Sequence, residues 1–165
     1  MKCLVFSDSH GSAYAIRTAL NMHRDAEIIF FLGDGLSDLE PFLDDRSRAF
    51  LAVRGNCDHS AVLGDQLVKK TDQFFIEGRR IVFTHGDLYG VKYGLDGVIR
   101  LAEETNADII LFGHTHQPLE KYVPTDNGGY YLFNPGSASG GFGIKASYGI
   151  INVTDKGVLL SHGYV

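Results

Sequence analysis

The stretch Lys2 to Gly11, KCLVFSDSHG, places an aspartate and a histidine directly after a short apolar run. The run from Lys2 to Phe6 predicts a buried strand, because it is brief, apolar and ends at polar residues. Asp8 and His10 follow this strand, and Gly11 permits a sharp turn beside them. The same order of strand, metal-ligand type of side chain and glycine recurs along the chain.

Four further segments repeat this order. They are FFLGDG with Asp34, LAVRGNCD with Asn56 and Asp58, IVFTHGD with His85, and LFGHTH with His114 and His116. If the strands are neighbours in a sheet, these side chains converge on one edge. Two segments carry pairs spaced i and i+2, and in an extended segment such side chains point the same way. The two side chains of each pair are therefore predicted to bind the same metal ion, as a bidentate ligand.

The candidate ligands are carboxylates, one amide and imidazoles. They are Asp8, His10, Asp34, Asn56, His85, His114 and His116. Seven side chains are too many for one tetrahedral ion, but they suit two ions that share a carboxylate and keep positions open for water. Nitrogen and oxygen donors without thiolate favour transition metals over Ca²⁺ or Mg²⁺. We expect two divalent ions, Mn²⁺ before Zn²⁺, Fe²⁺ or Ni²⁺, and a small phosphate-ester substrate attracted by their charge.

Hydrophobic periodicity around these segments predicts a mixed α/β chain. Amphipathic helices are expected from Ser12 to His23 and from Tyr93 to Thr105. A short helix is expected before Ala49, either at the capping-box form of Ser37 to Glu40, with Ser37 and Asp38 as cap residues, or with Pro41 as its first residue. A hairpin turning at Glu77-Gly78 and three strands in the C-terminal third complete the pattern. This order favours a layered α/β fold over a purely parallel doubly wound sheet.

The bulk composition limits the classes of protein that fit. With 165 residues and 44% apolar composition, we expect one globular domain spanning 1–165. Apolar runs are far shorter than the roughly 20 residues that span a bilayer, so no membrane association is expected. Cys3 and Cys57 are read as reduced thiols, which favours a cytoplasmic location. A net charge of -5 argues against an extended nucleic-acid surface, while a homo-oligomer stays open.

The ordered set DSH, GD, GNCD, THG and GHTH resembles the signature of the calcineurin-like metallophosphoesterase superfamily. The match runs from Asp8 to His116, and each motif alone is weak. Small size, the GNCD form and the later NPGS at Asn134 to Ser137 resemble the compact YfcE-like phosphodiesterase branch. The resemblance implies a four-layer αββα sandwich of two mixed β-sheets flanked by helices.

The resemblance also implies roles for the ligands. Asp34 would bridge two ions in a dinuclear phosphodiesterase, and a metal-bridging hydroxide would attack phosphorus. The first ion would be held by Asp8, His10 and His116, and the second by Asn56, His85 and His114. The residues assigned to catalysis are Asn56, His85, Asp58 and Cys57. Substrate specificity is expected from the loops Leu88 to Tyr93 and Ser139 to Lys145.

Cys57 departs from the family pattern, because many members have a histidine in its place that is assigned to protonating the leaving group or binding phosphate. A free thiol with a pKa of about 8.5 is a poor substitute acid. His59, two residues further on, is the alternative donor, although a loop histidine without any role is the simpler interpretation. Asp58 is expected to accept a hydrogen bond from a ligand or from nearby backbone.

Alternatives from other classes differ in their required residues. A metallo-β-lactamase-like hydrolase needs an H-x-H-x-D-H run, whereas His116 is followed by Gln117 and Pro118. An amidohydrolase barrel needs well over about 200 residues. The remaining alternative is a protein-assembly scaffold like a retromer subunit, which shares the fold and has lost metal ligands. Retention of every expected ligand favours an enzyme.

Overall fold

The computed structural model describes residues 1–141 and 143–165. The helices are α1 (Tyr14–Met22) and α2 (Asp96–Thr105), with 3-10 helices at Leu36–Phe42 and Asp87–Tyr89. The strands are β1 (Lys2–Phe6), β2 (Ile28–Phe31), β3 (Ala49–Ala52), β4 (Val62–Leu63), β5 (Gln66–Leu67), β6 (Thr71–Ile76), β7 (Arg79–Thr84), β8 (Ile109–Leu111), β9 (Leu119–Thr125), β10 (Gly128–Asn134), β11 (Ser147–Thr154) and β12 (Gly157–Tyr164).

Two five-stranded sheets form the body of the protein. The first has the order β12-β11-β1-β2-β3, and the second has the order β6-β7-β8-β10-β9. Within the first sheet β1, β2 and β3 are parallel, and within the second β7, β8 and β10 are parallel. The outer hairpin strands pair antiparallel. The predicted mixed α/β class is confirmed, with parallel strands at the centre of both sheets.

Side chains that alternate along the central strands separate the layers. In β1, Cys3 and Val5 pack between the two sheets, against residues of the second sheet such as Phe83. Leu4 and Phe6 point to the other face and pack against α1. The outer face of the second sheet is covered by α2, through residues such as Val98. The four-layer αββα sandwich is therefore confirmed, and its cause is the period-2 alternation of strands that are apolar on both faces.

The local elements differ from prediction mainly at their ends. The second helix begins at Asp96 rather than Tyr93. The helix predicted near Ser37 is a 3-10 helix with Pro41 inside it, and its N-cap residue Gly35 makes no side-chain cap hydrogen bond. The capping role predicted for Ser37 and Asp38 is therefore wrong. Strand β9 and the β4–β5 hairpin were not predicted, because their residues are largely exposed and lack an apolar face.

Among the helices of the described residues, none combines the length and the apolarity that crossing a membrane requires.

The candidate ligands lie at one edge of the sandwich, where the parallel strands end. The loops that carry the candidate ligands all follow the carboxyl ends of β1, β2, β3, β7 and β8. In sheets of this kind, ligands bind outside the carboxyl ends of the parallel strands.

Candidate metal centre

The seven predicted ligands come together at this edge. Two groups of three place their ligand atoms within 4.8 Å of one another. The first group contains Asp8, His10 and His116, and the second contains Asp34, His85 and His114. Asn56 joins the second group, since its Oδ1 lies 3.1 Å from Nε2 of His85. The side chains that follow five separate strands therefore lie close together, as the sequence predicted.

In the first group, Asp8 is fully buried and the two imidazoles are partly exposed. Oδ1 of Asp8 lies 3.1 Å from Nε2 of His116 and 3.7 Å from Nε2 of His10. The two Nε2 atoms are 3.3 Å apart. Oδ1 of Asp8 has no hydrogen-bond partner among the described residues, although it is inaccessible to solvent. A buried carboxylate oxygen without a donor needs another source of positive charge.

The second group centres on the buried ring of His85. Its Nδ1 lies 2.9 Å from the carbonyl of Leu32 and must donate a proton to it, so in the neutral ring Nε2 carries a lone pair. That Nε2 lies 3.0 Å from Nδ1 of His114 and 3.3 Å from Oδ2 of Asp34. The atoms around it are therefore electron-rich and face one another, an arrangement that a bound cation stabilises.

The donor spacings fit metal coordination. Ligand bonds of about 2.0–2.2 Å at angles between octahedral and tetrahedral put neighbouring donor atoms roughly 3.0–3.5 Å apart. The pairs His10–His116, His85–His114 and Asp8–His116 have separations of 3.3, 3.0 and 3.1 Å. The two groups also adjoin, since Nε2 of His85 is 4.0 Å from Oδ1 of Asp8. These residues therefore fit a site for divalent ions.

The backbone of the ligand loops is not extended. Asp8, His10, Asp34, His114 and His116 all have φ between 46° and 66°, in the left-handed region. The predicted extended geometry is therefore wrong. Asp8 and His10 meet in one ligand group all the same, whereas His114 and His116 belong to different groups, so this pair is not the joint ligand that its spacing predicted. Left-handed residues turn the chain sharply after each strand, and non-glycine residues in this conformation store strain that surrounding contacts must offset.

Hydrogen bonds to Asp8 supply part of that support. Its Oδ2 accepts from Oγ of Ser7 at 2.5 Å and from the backbone N–H of His114 at 3.0 Å. Its carbonyl accepts from Oγ of Ser137 at 2.9 Å. The side chain of Asn134 donates to the carbonyl of Gly113, directly before His114. The NPGS stretch, Asn134 to Ser137, thus joins the two loops that carry the first ligand group.

Asp58 gives the Asp34 loop equivalent support. Its carboxylate accepts the backbone N–H groups of Asp34, Gly35, Leu36 and Gly55, at distances from 2.7 to 3.0 Å. The expectation that Asp58 accepts hydrogen bonds from nearby backbone is confirmed, and the four donors lie in the loops after β2 and β3 and at the first residue of the 3-10 helix that begins at Leu36. Four charge-assisted hydrogen bonds fix the relative position of these loops.

Asp38 holds the His10 loop in the same way. Its Oδ2 accepts from Oγ of Ser9 at 2.5 Å and from the backbone N–H of Gly11 at 2.9 Å. Sequence analysis missed this contact, together with those of Ser7, Asn134 and Ser137. The signal was present, since these polar residues adjoin the ligand motifs or form NPGS, but their partners are distant in sequence.

At two positions next to the ligands, only glycine fits without a steric clash. Gly55 has no positive φ, yet a Cβ added to it would overlap Oδ1 of Asp34. A Cβ on Gly113 would overlap Oγ of Ser7 and lie 2.8 Å from Oδ2 of Asp8. At both positions the backbone therefore approaches a carboxylate ligand so closely that only glycine fits.

The site favours negative carboxylates. Burial raises the pKa of Asp8, but contact with His116 and the charge of His85 outweigh it, so the pKa lies below its ordinary value. Burial also opposes ionisation of Asp34, but the nearby imidazole of His85 and the hydrogen bond from the backbone N–H of Cys57 lower its pKa strongly. Both carboxylates are therefore ionised at neutral pH.

The pKa values of the imidazoles near these two carboxylates shift in different directions. Burial lowers the pKa of His85, but Asp34 and Asp8 raise it above its ordinary value, so a positive charge is favoured at this point. Contact with Asp8 likewise raises the pKa of His116, against some burial. Burial and the neighbouring His85 lower the pKa of His114. The field of the two carboxylates thus attracts cations to the space between the groups.

Cys57 lies at the border of the site. Its backbone N–H donates to Oδ1 of Asp34 at 2.8 Å, while its exposed Sγ accepts from Nδ2 of Asn56 at 3.3 Å. Its ligand atom forms a third group with those of His10 and Asp34, within 4.8 Å. Desolvation and the charge of Asp34 raise the pKa of the thiol, so it stays protonated at neutral pH. The loop residue His59 lines the same cavity as Cys57.

Comparison with solved structures shows where this fold occurs. Vps29 from Entamoeba histolytica, in a crystal structure described as complexed with Zn²⁺, superposes with a TM-score of 0.73 at 21% identity. The alignment covers 99% of each chain. At this identity the likeness concerns the fold alone.

Sequence comparison identifies closer relatives. A probable metallophosphoesterase of Bacillus subtilis, YsnB, is 35% identical over 140 residues, which cover 83% of this chain and 75% of YsnB. The phosphodiesterase YfcE of Escherichia coli is 30% identical over 172 residues, covering 92% of this chain and 88% of YfcE. Residues 1–156 match the calcineurin-like phosphoesterase superfamily domain. The chain with this strand-end cluster of carboxylates and imidazoles therefore belongs to the calcineurin-like phosphoesterase superfamily.

Proposed function

We propose that this protein is a phosphodiesterase that depends on two divalent metal ions. The observation that carries the proposal is the pair of adjoining donor groups, in which the buried Oδ1 of Asp8 has no hydrogen-bond donor among the described residues. A hydrogen-bonded structural cluster would leave no such atom unpaired. Phosphodiester substrates are proposed because YfcE is named a phosphodiesterase and covers most of the chain.

The ligand assignment follows the two groups. Asp8, His10 and His116 would hold one ion, and Asn56, His85 and His114 would hold the other. Asp34 would bridge them, which its position supports, since its ligand atom belongs both to the group with His85 and to the group with His10. Bound divalent ions supply Lewis acidity toward phosphoryl oxygens and lower the pKa of water toward about 7. Mn²⁺ is the first candidate, with Zn²⁺, Fe²⁺ and Ni²⁺ as alternatives.

The protein's own residues prepare this site. His85 keeps its Nε2 lone pair directed at the second group because Nδ1 is committed to the carbonyl of Leu32. Asp58 and Asp38 hold the Asp34 and His10 loops through backbone N–H groups. Cys57 and His59 would stand near the leaving group, as the side chains able to give it a proton. We further propose that residues 1–165 act as one domain.

A scaffold role is the alternative function. The Vps29 likeness supports only a shared fold. The scaffold alternative predicts that metal-ligand residues have been lost, whereas all seven candidate ligand residues are present and lie together at one edge. The two functions differ in metal content and in hydrolysis, so one experiment separates them.

The test is to purify the protein without chelator, measure metal per chain by mass spectrometry, and assay it after reconstitution with Mn²⁺, Zn²⁺, Ni²⁺ or Mg²⁺. We expect close to two transition-metal ions per chain and hydrolysis of bis-p-nitrophenyl phosphate exceeding that of p-nitrophenyl phosphate. The absence of metal-dependent hydrolysis with every ion, in folded protein, would overturn the proposal in favour of a scaffold.

A further inference from the structure

The loop of residues 86–93 begins directly after the candidate ligand His85 and packs against the loop of His114. The backbone N–H of Gly113 donates to the carbonyl of His85 at 2.9 Å, which joins the two loops. The buried side chain of Val91 lies against Gly86, since a Cβ added to this glycine would be 2.9 Å from Cγ2 of Val91 and 3.7 Å from the carbonyl oxygen of Gly113. The far end of the loop therefore returns to the candidate metal centre.

Two side-chain contacts hold the middle of this loop on the second sheet. Oδ2 of Asp87 lies 3.3 Å from Nζ of Lys70. The hydroxyl oxygens of Tyr89 and Thr71 lie 3.2 Å apart. Together with the burial of Val91, these contacts fix the backbone position of the residue that follows.

That residue is Lys92, an exposed cation that makes no ion pair with a carboxylate of the described residues. Burial and the neighbouring His85 lower the pKa of His114, and the positive charge of Lys92 lowers it further. The pKa of His116 is raised by contact with Asp8, and the charge of Lys92 opposes this rise, as burial does. Since His114 and His116 belong to different ligand groups, the field of Lys92 reaches both groups.

A lysine in this position acts on cations and anions with opposite sign. Its charge repels metal ions at the two ligand groups, so it does not assist metal binding. The same charge attracts an anion that contacts those ions. During hydrolysis of a phosphate ester, the phosphoryl oxygens gain negative charge as the attacking oxygen adds to phosphorus, and a positioned ammonium group stabilises that charge.

We propose that Lys92 is a substrate-binding residue, whose ammonium group contacts the phosphate of the ester and stabilises the negative charge that develops there. The inference rests on the phosphodiesterase function proposed above. Because the stem of a lysine is flexible, its ammonium group can follow the phosphoryl oxygens while the backbone of the loop stays fixed.

The test measures binding of inorganic phosphate and of metal separately, by isothermal titration calorimetry. In the Mn²⁺-loaded protein, Lys92→Gln is expected to weaken phosphate binding by about three- to tenfold, and Lys92→Arg, which keeps the charge, by less than about threefold. In the metal-free protein, Lys92→Gln should bind Mn²⁺ as tightly as wild type or a few-fold more tightly. The value of kcat/KM for bis-p-nitrophenyl phosphate should fall by about tenfold in Lys92→Gln.

The matched control is Lys156→Gln. Lys156 is an exposed lysine in the turn between β11 and β12. Because β11 runs antiparallel to β1, with Asn152 opposite Lys2, this turn lies beyond the amino end of β1, at the edge away from the candidate ligands. Phosphate binding, Mn²⁺ binding and hydrolysis should all keep their wild-type values in this variant.

Unchanged phosphate affinity in Lys92→Gln would overturn the proposal. An equal loss of phosphate and Mn²⁺ affinity in both Lys92→Gln and Lys92→Arg would also overturn it, because this result would show that Lys92 supports the loop rather than an anion. Absence of metal-dependent hydrolysis in the wild-type protein would instead overturn the proposed function. The two failures are distinguishable, since phosphate binding is measured without turnover.

Discussion

The inner and outer ligands of the candidate metal centre differ in how the protein holds them. Asp8 and His85 have fully buried side chains, and that of Asp34 is 3% exposed. Each of the three makes at least one hydrogen bond to a group other than the candidate ligands. By contrast, the side chains of His10 and His116 are 34% and 47% exposed, and within the described part of the chain their rings make no hydrogen bond to a group other than a candidate ligand.

The two sets of ligands are therefore positioned by different interactions. The inner ligands are positioned by folding, so their charge and geometry exist before any cation binds. The outer imidazoles can be oriented by the ion itself. Mutations of inner ligands should therefore damage both metal binding and the local fold, whereas mutations of outer ligands should weaken binding in a way that extra metal offsets.

The largest effect is expected for Asp34→Ala, because Asp34 serves both ligand groups. We expect kcat/KM for bis-p-nitrophenyl phosphate to fall by about 10²-fold or more, and metal content to drop. Circular dichroism should show that the overall fold is retained, because the damage is confined to the loops around Asp34 and leaves the two sheets in place. The matched control is Asp155→Ala, an exposed aspartate in the turn before β12, which should keep wild-type activity. Activity within a few-fold of wild type in Asp34→Ala would remove the bridging assignment.

Asp58→Ala tests the support of the inner ligands. The substitution leaves four backbone N–H groups without their acceptor, so we expect the free energy of unfolding to fall by about 2–4 kcal/mol and activity by about 10–100-fold. Urea denaturation of the metal-free protein and steady-state kinetics measure the two effects. Unchanged stability would show that water replaces the carboxylate and that Asp58 does not organise the loops.

His116→Ala tests an outer ligand. We expect a loss of about tenfold in activity at low metal concentration, with partial recovery as Mn²⁺ is raised, because the remaining ligands keep their positions. Titration of activity against Mn²⁺ in wild type and variant measures the shift. Equal activity at every metal concentration would contradict a ligand role for this residue.

The pH dependence of stability tests the inner carboxylates. Their pKa values are lowered in the folded protein, so their contribution is fully present above the ordinary value of 3.8 and is lost as pH falls through the folded pKa. The unfolding free energy of the metal-free protein should therefore fall steadily below about pH 4–5. In Asp34→Asn this fall should be shallower. Parallel curves for wild type and variant would contradict the assignment of a lowered pKa to Asp34.

The smallest effect is expected for Cys57→His. The side chain of Cys57 is exposed at the border of the site, so a larger side chain can extend toward solvent there, and the hydrogen bond that Sγ accepts from Asn56 is the one contact with a ligand that the substitution removes. A histidine offers a better proton donor to a poor leaving group, and we expect a gain of a few-fold on monoesters. Cys57→Ser is the control for loss of the thiol. No gain with histidine would contradict the argument that the thiol is a weak acid.

The sequence predicted the site better than it predicted the loops around it. Asp8, Asp34 and His85 could be selected because each follows a short apolar run and adjoins a glycine. Strand β9 was missed because most of its residues are exposed and show no buried alternation. The extended geometry assumed for His114 and His116 is wrong, since both residues are left-handed, and their loop is held by hydrogen bonds from the distant residue Asn134, a partner that the local sequence does not indicate.

What the sequence determined by itself is local: the order of strands and helices, and the chemical type of each side chain after each strand. Periodicity and ligand chemistry are properties of neighbouring residues, so they can be read without coordinates. The tertiary structure alone decided which atoms face each other. Asp58 meets the N–H groups of the Asp34 loop, and Ser137 meets Asp8. These contacts join segments far apart in the chain, and only the packing of two sheets brings them within hydrogen-bond distance.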